Sequence, residues 1–136
     1  MIGLLIAYNP KVFQMIKYAT VDYDDDPLCT KTWITSNIGQ IMALKHVDHP
    51  EFGIVIGNTH LYWRPVALYE RLRQTAIFIN KIMNAQNGLQ ETEPNTKWVP
   101  IPIGGMHCLY NKMGDQLVIG ITTNIFIRVN PITISI

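Results

Sequence analysis

The sequence predicts an α/β fold, a mixed β-sheet with one main helix at about residues 66–84. Three observations carry this expectation. Apolar runs rich in β-branched and aromatic residues come early, at 3–8, 13–23, 36–47 and 53–61, with turn-forming residues between them. One stretch then changes from an extended to a helical period. After it the extended run Trp98-Val99-Pro100-Ile101-Pro102-Ile103 resumes and ends in Gly104-Gly105. The order β-β-β-β-α-β fits one layered α/β domain, or part of one.

Each element has a local reason. Residues 3–8 (GLLIAY) make a short buried strand, followed by the turn signal Asn9-Pro10-Lys11. Residues 13–23 (FQMIKYATVDY) alternate loosely and suit a second, hairpin-related strand, which Asp24-Asp25-Asp26-Pro27 breaks. Residues 36–47 (SNIGQIMALKHV) and 53–61 (GIVIGNTHL) are two further strands joined by Asp48-His49-Pro50-Glu51. In 66–84, Leu68, Leu72, Ala76, Ile79 and Met83 share one helical face, the face expected against the sheet. Glu70, Arg73, Asn80 and Lys81 fall elsewhere. Pro65 is compatible with a helix start, Asn87-Gly88 supplies a stop, and 85–97 reads as polar loop.

Composition bounds the function. A chain of 136 residues has room for one domain with a real core. A 48% hydrophobic content argues for a globular chain and against disorder. The net charge of +1, from 11 basic and 10 acidic residues, excludes a polybasic nucleic-acid arm and leaves room for a local binding face. Cys29 and Cys108 have no C-x-x-C spacing, so two free thiols in a reducing compartment are expected, hence an intracellular protein, cytoplasmic or nuclear. Residues 1–8 lack the basic leader and cleavage site of a signal peptide. The apolar tail at 117–136 has about the length of a membrane span. Asn124, Arg128, Asn130 and Pro131 interrupt it, and a charge near the bilayer centre costs about 2.5–3.5 kcal/mol. A soluble protein without a membrane partner is expected, and no stable protein partner is inferable.

Few residues offer chemistry by spacing. The Asp24-Asp25-Asp26 run lacks the spacing of a calcium loop and reads as a solvated turn. His46 and His49 flank a turn and read as surface polar residues, since a zinc site needs three or four ligands. Tyr62 and Trp63 beside Arg64 either stack a base or pack the sheet–helix junction. His60 is the sharper candidate. It stands where an apolar strand ends and the chain turns toward a helix, a common place for catalytic groups in α/β proteins.

The string Ile56-Gly57-Asn58-Thr59-His60-Leu61-Tyr62-Trp63-Arg64-Pro65, followed by Tyr69, Arg71, Leu72 and Gln74, resembles a signature of the endonuclease/exonuclease/phosphatase superfamily. The likeness is to its RNA-exonuclease, deadenylase-like branch, of the fungal RNA exonuclease type. "GLLIAYNPKVFQMI" at 3–16 and "SNIGQIMAL" at 36–44 are similar to earlier strands of that branch. The resemblance covers roughly residues 1–104 and is most specific at 54–74. It implies a partial, DNase I-like α/β sandwich at 1–105 with an unrecognised tail at 106–136. It also implies RNA as partner, Mg2+ as the family cofactor, and 3′–5′ hydrolysis of RNA phosphodiesters. In this reading His60 is catalytic and reaches the scissile phosphate from a cleft between two sheets. Asn37 and Asn58 are substrate-binding, while Arg71 and Gln74 hold the helix to the sheet.

The chain also departs from the family pattern. The Leu-Gln-Glu segment that carries the metal-binding Glu is absent. Where Asp-Phe-Asn should follow Gly104-Gly105, the sequence reads Met106-His107-Cys108, and no Ser-Asp-His occurs. No residue here is assigned to metal. Two readings follow: a fragment of a magnesium-dependent RNA exonuclease that is inactive as this chain, or a non-catalytic RNA- or protein-binding product or truncated gene model. Half of a two-sheet sandwich is also expected to leave an apolar sheet face open.

Overall fold

The computed structural model describes residues 4–27, 29, 34–64, 66–105 and 124–126. Pro65, Cys108 and all of the tail except 124–126 lie outside them. The elements are β1 (Leu5–Ala7), β2 (Phe13–Asp22), β3 (Ile38–His46), β4 (Phe52–His60), α1 (Leu68–Thr92), β5 (Lys97–Gly105) and β6 (Asn124–Phe126). A four-stranded sheet has the order β2-β3-β4-β5. Its first three strands form an antiparallel meander, and β5 joins β4 in parallel after the α1 crossover. This is a mixed sheet with one main helix packed on it.

β1 does not join that sheet as a hairpin partner. It pairs in parallel with β6 instead. Asn9 accepts the Val12 and Phe13 amides at its carbonyl, turning the chain from β1 into β2. Ile6 then sits with Phe13, Met42, Leu44 and Ile56 in a cluster on one face of the four-stranded sheet. The other face carries Val21, Tyr23, Ile41, Ala43 and Val55 under Phe78, Ile82 and Leu89 of α1 and Trp98 of β5. Strand alternation produces this division, sending 42, 44 and 56 one way and 41, 43 and 55 the other. The face away from the helix stays partly open. Val99 and Ile101, in register with Ile54 and Ile56, are exposed there, as are Tyr18 and Ile38 on neighbouring strands.

The helix corrects the sequence reading twice. It runs eight residues beyond the expected end at 84 and passes through Asn87-Gly88 to Thr92. A mid-helix glycine costs about 1 kcal/mol relative to alanine. Beyond it Leu89 is buried beside Trp98, and Gln86 Nε2 donates to the Trp98 carbonyl at 2.9 Å, so tertiary anchoring outweighs the local propensity. Lys45 pairs with Glu93 at 2.6 Å just after the last turn. The buried face is also the opposite one. Leu68 and Leu72 are each 60% exposed, and Ala76, Ile79 and Met83 are exposed with them, while Glu70, Arg73, Gln74, Phe78 and Ile82 are buried.

Two close contacts set the depth of the helix on the sheet. A Cβ on Gly57 would lie 2.6 Å from Phe78 Cζ and would also overlap Ile82. On the same face Tyr23 is fully buried, and its hydroxyl lies 2.6 Å from Thr59 Oγ1. Thr59 Oγ1 itself donates to the Ile38 carbonyl at 3.2 Å, so Tyr23 is the donor to Thr59. Burial pushes the Tyr23 phenol up to about 12, with the hydrogen bond to Thr59 pulling the other way.

Gly57→Ala is expected to destabilise the fold by about 1–3 kcal/mol, as overpacking does. Urea unfolding should show a lower midpoint at unchanged slope, and an unmoved midpoint would contradict the close approach. The tyrosine gives a pH test. Its folded pKa is raised above the ordinary value, so the folded state holds the proton more tightly than the unfolded chain. Its contribution is complete below about pH 10 and is lost as the pH rises toward about 12. The stability difference between the native chain and Tyr23→Phe should shrink across that interval, measured by urea unfolding at successive pH values.

Candidate functional site

The site is built where β4 ends. His60 is the last residue of β4 and lies in register with Gly105, the last of β5. Leu61 N donates to the Gly105 carbonyl at 2.9 Å, so the two parallel strands finish side by side. Alternation turns Thr59 toward α1 and turns Asn58 and His60 toward the opposite face. Asn58 is fully buried, and its Nδ2 donates to the Leu5 carbonyl at 3.2 Å, tying β4 to β1. Asn37, half-buried just before β3, donates from Nδ2 to the His60 carbonyl at 2.7 Å. Asn37 and His60 are therefore brought together, and Asn58 holds the same strand end from within.

Beneath the strand end lies a polar cluster from the first turns of α1. Arg73 donates to Glu70 from Nη2 at 2.6 Å and from Nε at 3.0 Å, a bidentate pair. Its Nη1 donates to the Tyr23 carbonyl at 2.8 Å and lies 3.6 Å from Asp26. The hydrogen bond to Glu70 holds the guanidinium pKa above its ordinary value. Gln74, fully buried, donates from Nε2 to Glu70 Oε1 at 2.9 Å and to Thr35 Oγ1 at 3.1 Å. Its Oε1 accepts the Tyr62 amide at 3.0 Å. Arg71 reaches the Arg64 carbonyl through Nη1, so it ties the helix to the segment leading into it.

The loop before β3 is organised by Asp24. Its carboxylate accepts the Thr35 amide at 3.1 Å, the Ser36 amide at 2.7 Å and the Thr35 hydroxyl at 3.3 Å. Ser36 adopts a left-handed backbone (φ 54°), a conformation costing about 1–2 kcal/mol for a residue with a Cβ. The charge-assisted bonds to Asp24 offset it. The Asp24-Asp25-Asp26 turn is thus more than a solvated turn, since two of its carboxylates meet protein partners. His46 behaves as a surface turn residue, its Nδ1 accepting the Asp48 and His49 amides. Trp63 stands at the surface beside Arg64. It is 47% exposed, and the Arg64 guanidinium lies 6.0 Å from its ring centre.

The described residues do not fit a magnesium site. Among the described residues, no three His, Cys, Asp or Glu side chains converge to hold an ion. Glu70 and Asp26 face Arg73, Asp24 caps the loop, and Glu93 and Glu51 pair with Lys45 and His49. Tyr23, Thr35 and Thr59 bond around this strand end, and the sequence alone gave none of them a role. Their partners are 36, 39 and 21 residues away, and no local period marks such bonds.

No family model matches the chain. It is 34% identical over 103 residues to a probable RNA exonuclease of Schizosaccharomyces pombe, across 76% of this chain and 19% of that protein. It is 38% identical over 87 residues to the probable RNA exonuclease NGL3 of Saccharomyces cerevisiae, across 59% of this chain and 17% of that protein. The chain thus spans about a fifth of the length of these curated relatives. Among solved structures it is similar to ANGEL2, a 2′,3′-cyclic phosphatase, at 22% identity and a TM-score of 0.47, over 56% of this chain and 21% of that one. On its curated relatives, named RNA exonucleases, the chain belongs to the endonuclease/exonuclease/phosphatase superfamily, in its RNA-exonuclease branch.

Proposed function

We propose that the chain carries part of a magnesium-dependent 3′–5′ RNA exonuclease domain in which His60 faces the scissile phosphate, and that the chain alone does not cleave RNA. The supporting observation is the placement of His60 at the carboxyl end of a parallel strand pair, its carbonyl fixed by Asn37. Open α/β sheets place their ligands outside such strand ends. From there an imidazole N–H can donate to a phosphate oxygen as charge develops on it. Asn37 and Asn58 keep this end of the sheet in place on its substrate side. RNA as substrate follows from the names of the relatives, which are RNA exonucleases. Among the described residues, Asp24, Asp26, Glu51, Glu70 and Glu93 are engaged by protein partners and no three ligating side chains converge, which supports reading this chain as lacking the ion-activated water such hydrolysis requires.

A second reading is a non-catalytic product that binds a protein. The exposed stripe Leu68, Leu72, Ile79 and Met83 on α1 favours it, because contiguous exposed apolar surface marks interaction sites.

Pure protein incubated with magnesium and a labelled oligoadenylate should release nothing above a no-enzyme blank. Release that vanishes in His60→Ala would overturn the claim of inactivity. In fluorescence anisotropy, His60→Ala should weaken oligoadenylate binding about threefold or more. Equal affinity would remove His60 from the RNA-facing surface, and no binding by the native chain would select the second reading.

A further inference from the structure

We propose that Gln74 is the positioning residue for His60, acting through a closed ring of hydrogen bonds around the strand end. From the helix, its Oε1 accepts the amide of Tyr62, two residues after His60. Its Nε2 donates to Thr35 Oγ1. Thr35 Oγ1 also accepts the Asn37 amide at 3.3 Å, and Asn37 Nδ2 closes the ring on the His60 carbonyl. The backbone from the His60 carbonyl to the Tyr62 amide is therefore referred to one carboxamide, fully buried and held in orientation by Glu70.

The chemistry requires both ends of that carboxamide. An acceptor must face Tyr62 N while a donor faces Thr35 Oγ1, and only an amide at this length presents the two together. A carboxylate lacks the donor and would stand beside Glu70. Removing the Gln74 acceptor takes away the bond that holds the Tyr62 amide to the helix, which frees the segment after His60 to choose another partner. The inference rests on the reading that His60 faces RNA, but its first readout is independent of it.

The test is the NMR spectrum of the full chain, following the imidazole resonances and their pH titration. Gln74→Met, nearly isosteric, should move the His60 ring signals and titration midpoint while those of His49, in the β3–β4 turn, stay in place. Thr35→Val should move His60 likewise, and Thr35→Ser should restore it. Each disruptive variant should weaken oligoadenylate binding about threefold or more. A folded Gln74→Met with His60 unmoved overturns the proposal. If Gln74→Met fails to fold, Thr35→Val decides in the same way. If the His60 signals move while His60→Ala leaves oligoadenylate affinity unchanged, Gln74 positions the residue and the RNA-facing reading fails.

Discussion

Burying a carboxylate, a guanidinium and a carboxamide within two turns of one helix is the constraint on which the rest of this structure depends. Glu70, Arg73 and Gln74 are each less than a tenth exposed. Charges removed from water must find partners or the helix cannot dock there. Arg73 and Glu70 satisfy each other in a two-bond pair, and the bonds left over reach outward to the Tyr23 carbonyl, Thr35 and Tyr62. The sheet's connecting segments are drawn to the helix because the helix brings polar groups that need them. Glycine at position 57 lets Phe78 and Ile82 come close enough for the polar turns to arrive in range.

The apolar and polar halves of α1 thus have different tasks. Toward its C-terminal part, Phe78, Ile82 and Leu89 fix the helix by burial against Val55 and Trp98. Toward its N-terminal part, directional bonds fix it against particular carbonyls and amides. Apolar burial is tolerant of small displacements, whereas hydrogen bonds are not. The directional contacts lie beside the β4 end, where His60 stands.

Much of this architecture was legible in the sequence, and the parts that were not share a cause. The strands announced themselves through β-branched runs, and Asp48-His49-Pro50-Glu51 marked the β3–β4 turn. His60 stood out as a histidine at a strand end, and the motif around it carried the family resemblance. The helix end misled because Gly88 faces open space while Leu89, one residue on, is anchored against Trp98. The buried face misled because the apolar period placed Glu70 and Arg73 off the helical face expected to be buried, whereas both are buried together with Gln74. They enter the interior as a set, and a set of mutual bonds has no hydropathy signature. The pairing of β1 with β6 joins residues more than a hundred positions apart, beyond any local pattern. Thr35 and Tyr23 were hidden for the same reason.

Adjacent residues of β4 serve opposite faces: Asn58 bonds β1 on one side, and Thr59 bonds Tyr23 on the other. The side-chain period of a strand is two, so a slip of one position exchanges its faces. Inserting or deleting a single codon between Gly53 and Asn58 would send the asparagine into the tyrosine's apolar pocket and turn the histidine toward the helix. An in-frame change of two codons would keep the faces but shift His60 relative to Gly105. Drift in gene length at this end of the sheet is therefore confined to the loops, and β4 can vary in letters but not in count.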